Sequence, residues 1–223
     1  MLLTIRPDVI IRSARKTLSV SVDCFGRITV RAPKRCSDER IFAFLEEKQD
    51  WILQKKAKTV GAGKRLPPED INGFTFMLFG LEHTISLADG RSIVYDREKK
   101  TITLPKKNPK TRLIKWLKET AKYVFLEMTE QKSREMGARY VSVAVTSAKS
   151  RWGSCNSKDE LRYSFRLLYA PKAIVEYVIV HELAHTKHKN HSQRFWQEVA
   201  KYLPDYKARR NWLKAHAYLM HIF

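Results

Sequence analysis

Cysteine is scarce in this chain, with 3 in 223 residues: Cys24, Cys36 and Cys155. An odd number without paired spacing argues against a disulfide framework or a cysteine-based metal knuckle and suits a reducing compartment. Long hydrophobic runs are also missing. The longest apolar stretch, Ala173 to Val180, is interrupted by Glu176; a bilayer span needs about 20 such residues, so no membrane partner is expected. The N-terminal Met1-Leu2-Leu3-Thr4-Ile5 meets Arg6, Pro7 and Asp8 at once. That is no signal-peptide core, and the expected location is cytoplasmic. Internal repeats and low-complexity segments are absent.

Acidic residues are few: 23 Asp and Glu stand against 43 Lys and Arg, a formal charge of +20. The basic residues are spread along the chain, as Arg12, Arg15 and Lys16, then Lys55, Lys56 and Lys58, then Lys106, Lys107 and Lys110, then Lys207, Arg209 and Arg210. A nucleic-acid stripe would cluster on one element with stacking aromatics. The charge thus reads first as a cationic solvated surface, with nucleic acid or another polyanion left open as a partner. Hydrophobic residues at 43% and aromatics at 11% supply a real core and exclude a disordered polybasic chain.

The patterning predicts an α+β fold in two parts. Residues 1–105 read as a β-rich N-terminal region with one helix. Leu18, Val20 and Val22 alternate with polar residues, Phe25-Gly26-Arg27 turns the chain, and Ile28 and Val30 alternate again, as in a hairpin. Ser37 precedes Asp38 and Glu39 as a helix N-cap would, and Ile41, Phe44, Leu45, Trp51 and Ile52 share one helical face. Gly61-Ala62-Gly63 and Pro67-Pro68 mark a break before three or four short strands between Phe74 and Leu104. The charged connector Lys106–Lys110 is the expected domain boundary, and residues 106–223 form the second part. Asn108 and Pro109 open a long amphipathic helix there. Val141, Val143 and Val145, and then Leu161, Tyr163, Phe165 and Leu167, predict two strands of a short antiparallel sheet. Pro171 opens a helix that is apolar almost all round and therefore buried.

That helix carries His181-Glu182-Leu183-Ala184-His185. Residues four apart stack on one helical face, so both imidazoles can reach one metal ion, with Glu182 beside the open position as a proton acceptor. At this composition the pattern arises by chance about 0.01 times in such a chain, so it is specific. A third ligand is needed. The candidates are His191, Glu198 and His188. A straight helix would carry His191 about 15 Å from His181. Asn190 as a left-handed cap and Ser192 as the next N-cap turn the chain, however, and favour His191 swinging back.

These residues resemble a family. Tyr177-Val178-Ile179-Val180-His181-Glu182-Leu183-Ala184-His185, followed by Asn190-His191-Ser192 and Phe195-Trp196, is similar to the YgjP-like metallopeptidases, relatives of the SprT-like and WLM zincin-type proteases. Arg151-Trp152-Gly153-Ser154-Cys155 matches a second signature, and Val30-Arg31-Ala32-Pro33 with Lys48-Gln49-Asp50-Trp51-Ile52 a third. The resemblance implies a zincin-like half in residues 106–223 and a zinc-dependent hydrolase. Its ligands would be His181, His185 and His191, and its catalytic base Glu182. One departure is Ser164, where the family pattern leads one to expect Asn. A metzincin is excluded: its helix-breaking Gly would fall at His188, and Met220 is the only later Met.

The expected function is zinc-dependent hydrolysis of peptide bonds in a protein or peptide substrate. Arg151 is a candidate to bind an acidic substrate group or a developing oxyanion. The strand Tyr140 to Thr146 is expected to lie along the cleft and bind an extended peptide by strand addition. Hydrolysis of nucleotide phosphoanhydride bonds is the alternative, since activated water is not selective by itself; a binding protein with a vestigial site is another. Cys155 is not expected to be a nucleophile, because no partner histidine is identifiable.

Overall fold

The structure, a computed structural model, describes residues 5–23, 25–60 and 67–223. Cys24 and the Gly61-Ala62-Gly63 break lie outside the described residues. The chain divides into two compact units, Met1–Arg65 and Leu66–Phe223.

The first unit holds strands β1 (Val9–Ser13), β2 (Ser19–Val22) and β3 (Ile28–Pro33) and helices α1 (Asp38–Glu47) and α2 (Gln49–Val60). The sheet order is β1-β3-β2, with β3 antiparallel to β2, as the hairpin pattern requires, and parallel to β1. Alternation on β3 buries Ile28, Val30 and Ala32 against Ile41 and Leu45 of α1 and Ile52 of α2. Two helices replace the single one expected. Glu46 and Glu47 put like charge on the negative end of α1, and the Lys48 amide doubles back onto the carbonyls of Glu46 and Phe44. Trp51, expected on the buried face, is 41% exposed.

The second unit is α+β, in agreement with the fold class read from the sequence. Strands β4 (Thr75–Leu78), β5 (Leu81–Ala88), β6 (Val94–Asp96) and β7 (Thr101–Pro105) form a sheet of order β4-β5-β7-β6. Helix α3 (Pro109–Met136) follows, opened by Asn108 in left-handed backbone conformation and closed by Gly137, also left-handed at φ 57°. Next come β8 (Ser142–Thr146), β9 (Gly153–Cys155) and β10 (Glu160–Ser164), then helices α4 (Lys172–Lys187), α5 (Gln193–Tyr202) and α6 (Tyr206–Ala215). One core runs through Ile85, Ile102 and Leu104 of the sheet, Leu113, Leu117 and Phe125 of α3, and Val175, Ile179 and Leu183 of α4. The connector Lys106–Lys110 lies inside this unit, because the strands before it and the helix after it share that core.

The β8-β10-β9 sheet is mixed. The two strands read from the sequence, β8 and β10, pair parallel and not antiparallel as expected; the antiparallel partner of β10 is β9, which the sequence reading did not give as a strand. β10 also stops at Ser164, and Phe165 and Leu167, expected in the strand, lie in a buried 3₁₀ turn, Phe165–Tyr169. No helix among the described residues is long and apolar enough to cross a membrane.

Candidate metal centre

Helix α4 is enclosed on nearly every side. Ile174, Val175, Tyr177, Val178, Ile179, Val180, Leu183 and Ala184 are all buried. Polar side chains in such a setting destabilise the fold unless they are satisfied. His181 and His185 share one face, and each is held differently. His185 Nδ1 donates to the carbonyl of His188 at 3.1 Å, which leaves Nε2 as the lone-pair nitrogen. His188 is the helix C-cap in extended conformation, with φ −135° and ψ 101°. The chain therefore reverses at His188 and not through a left-handed Asn190. Asn190 instead accepts a hydrogen bond from the Ser192 amide on its side-chain oxygen at 3.3 Å. The reversal returns His191 to the helix, with its Nε2 3.1 Å from His181 Nε2. One nitrogen from each of His181, His185 and His191 lies within 4.8 Å of the other two.

The other two candidates, Glu198 and His188, are not part of this group of three. Glu198 accepts from Lys187 Nζ at 2.6 Å, and the same ammonium donates to the Met136 carbonyl at 2.6 Å, so this pair ties α5 to α4 and α3. His188 contributes its carbonyl to His185.

The electrostatics suit a cation. Burial, with smaller contributions from His185, His191 and Arg210, pushes His181 down to about 3. Burial also lowers His185, against the bond to the His188 carbonyl. Both rings are neutral near pH 7 and offer lone pairs. His181 Nδ1 is buried without a hydrogen-bond partner. A buried ring nitrogen left unpaired costs about 1–3 kcal/mol. A cation drawing the opposite ring nitrogen would offset that cost. Three convergent imidazoles are a donor set fitted to one divalent transition metal.

Glu182 is 5% exposed, and burial pushes its pKa up to about 8 against the opposing charge of Arg151. Its carboxylate packs on Gly153 at the start of β9, where an added Cβ would come within 2.6 Å of Oε1. The cleft there, about 150 Å³, is lined by Trp152, Gly153, Tyr177, Val178, His181, Glu182 and Leu213. Ser164 fixes this segment: its amide donates to the Trp152 carbonyl at 2.9 Å and its hydroxyl to the Ala148 carbonyl at 2.7 Å. Arg151 itself is exposed. Burial raises the Cys155 thiol, with Lys189 opposing, which keeps it protonated.

The strand beside α4 is β9 and not the expected segment 140–146. β8 occupies the opposite edge of the sheet and packs on α3. Sequence reasoning also passed over Tyr177 and Trp196 as members of the site. Tyr177 sits one turn before His181, with ring centroids 5.9 Å apart, and its four-residue spacing was the available signal. Trp196 stacks on His191 at 5.5 Å and 23°.

No curated protein matches this chain. Among solved structures, the crystal structure of the metallopeptidase zymogen of Pyrococcus abyssi abylysin aligns with a TM-score of 0.38 and 22% identity, covering 40% of this chain and 90% of that one. The family model described as YgjP-like, metallopeptidase domain matches residues 16–216, nearly the whole chain, and that span includes the three histidines and Glu182. The chain belongs to the YgjP-like metallopeptidase family.

Proposed function

We propose that this metallopeptidase uses zinc held by His181, His185 and His191, with Glu182 as the general base of peptide-bond hydrolysis. The observation that supports this most is the convergence of three imidazole nitrogens within 4.8 Å beside a buried carboxylate in the same cleft. Zinc bound there would supply Lewis acidity, polarising the scissile carbonyl and lowering the pKa of water. Glu182 takes a proton from the attacking water onto its carboxylate and passes it to the leaving amine. A cation at the histidines favours the ionised carboxylate, the form a proton acceptor needs. Arg151, at the rim, steadies negative charge on the substrate carbonyl or on an acidic substrate group.

The substrate chain adds to β9. The bonds from Ser164 N to Trp152 O and from Asn156 N to Glu160 O bracket its pairing with β10. By the alternation of an antiparallel ladder, Gly153 and Cys155 then turn their peptide groups outward. An extended peptide can hydrogen-bond to that edge, which places a peptide bond over the cleft.

Metal analysis of protein purified without chelator, together with turnover of casein-like proteins and of nucleoside triphosphates, tests this. The expected outcome is about one zinc per chain and cleavage of protein only. Glu182→Gln should retain the metal and lose nearly all turnover; activity within tenfold of wild type would remove Glu182 as the base.

A further inference from the structure

Helix α6 carries Lys207, Arg209 and Arg210 in one basic run, and the structure separates their roles. Arg209 is occupied internally, donating to Asp205 at 2.9 Å, Glu176 at 2.6 Å and the Ala173 carbonyl at 2.8 Å. Among the described residues no carboxylate pairs with Lys207 or Arg210. With Trp196, Tyr206 and Asn211 they line a cavity of about 270 Å³. The guanidinium carbon of Arg210 lies 4.9 Å from the Trp196 ring centre, and Tyr206 stacks on the same ring at 5.2 Å and 16°. Trp196 also stacks on His191, so a single indole separates this cavity from the histidine cluster.

The chemistry of the lining selects an anion with a short carbon stem. A guanidinium lying over an aromatic face keeps its N–H groups in its own plane, where their fork matches the two oxygens of a carboxylate. Lys207 adds a second positive charge and Asn211 a neutral amide donor. The Trp196 and Tyr206 rings can cover methylene groups that would otherwise stay wet. A peptide offers two carboxylates of this kind, an Asp or Glu side chain and a free C-terminus.

We propose that Trp196, Tyr206, Lys207, Arg210 and Asn211 form a subsite that binds a carboxylate of the peptide substrate beside the three histidines. The proposal rests on the reading that peptides are cleaved at those histidines. It adds a substrate preference that the histidines and Glu182 do not impose.

The test uses metal-loaded Glu182→Gln protein to capture peptides from a degenerate pool. The captured sequence is then made in three forms: as captured, with each acidic side chain converted to its amide, and with the C-terminus amidated. Affinities are read by calorimetry. The as-captured peptide should bind at least tenfold tighter than one of the two neutralised forms, and which one identifies the source of the carboxylate. Arg210→Gln in the same background should bring the forms within about twofold of each other, while Arg210→Lys keeps part of the preference. The preference should also shrink as salt shortens the screening length from about 10 Å at 0.1 M to about 3 Å at 1 M. Unchanged metal content and circular dichroism in Arg210→Gln show that its fold is intact. Equal affinity for all three forms, or a preference that survives Arg210→Gln, overturns the subsite. So does inorganic triphosphate binding more tightly than the captured peptide. The peptidase reading stands or falls separately, on whether wild-type protein cleaves the same pool.

Discussion

Gly153 and Glu182 pack with no room for a side chain between them: a Cβ on Gly153 would meet Glu182 Oε1 at 2.6 Å, Cγ at 2.8 Å and Cδ at 3.0 Å. Three successive atoms of a buried side chain cannot all withdraw without rotating the carboxylate out of its place. Gly153→Ala should therefore move Glu182 while leaving the histidines untouched. Expected are normal metal content, a stability loss of about 1–3 kcal/mol from overpacking, and at least a tenfold fall in kcat. Turnover equal to wild type would show that Glu182 tolerates displacement and does not act from this position.

Local spacing made the helix and its paired histidines legible in the sequence, because a four-residue repeat on a helix needs no tertiary information. His191 was legible as well, though through the wrong residue, since His188 and not Asn190 reverses the chain. β9 was not legible as the cleft strand. It has three residues and no period, and its position follows from β10 pairing parallel with β8 on one side and antiparallel with β9 on the other. The subsite on α6 was hidden for a different reason. Lys207, Arg209 and Arg210 looked equivalent in sequence, and only the packing of α6 turns Arg209 onto Glu176 and leaves Arg210 over Trp196. The strand pattern from Leu161 onward ran past Ser164 because its alternation continues into a 3₁₀ turn that buries every residue.

His191→Ala should lose stable metal binding, as should His181→Ala and His185→Ala, because two protein ligands are too few for a catalytic zinc site. The affinity loss should exceed the roughly 10–100-fold that follows removal of an outer partner. Glu198→Gln should keep the metal and show only the destabilisation expected from losing its pair with Lys187. Metal analysis after dialysis against a weak chelator separates the two, and the reverse pattern would falsify the histidine triad.

Arg166 is 3% exposed, donates to the Ser147 carbonyl at 2.9 Å and to the Phe223 carbonyl, and lies over the Phe165 ring at 4.5 Å. Arg166→Met keeps much of the apolar volume but leaves both carbonyls without this donor. Hydrogen bonds from charged donors contribute about 1.5–3 kcal/mol, so the variant should unfold at clearly lower urea concentration with an unchanged slope. A midpoint equal to wild type would mean water replaces the guanidinium at no cost.

Glu176 joins three helices. It accepts from Lys132 of α3 at 2.7 Å and from Arg209 of α6 at 2.6 Å, with both cationic side chains 16% exposed. Burial pushes the Glu176 carboxyl up, but the hydrogen bonds and charges of Lys132 and Arg209 outweigh it and hold the pKa below its ordinary 4.5. A carboxyl whose folded pKa is depressed stabilises the protein fully above its unfolded pKa and loses that contribution as pH falls through the folded value. Glu176→Gln should thus lower stability by about 1.5–3 kcal/mol at pH 7, or roughly 3–12 °C in Tm for a domain of this size. The gap between variant and wild type should stay constant down to about pH 5 and narrow below 4.5, where the wild-type carboxyl takes up its proton. Thermal melts of both proteins across that range check the sign as well as the size. A gap that is the same at acid and neutral pH would mean that the two cations do not depend on the charge of Glu176.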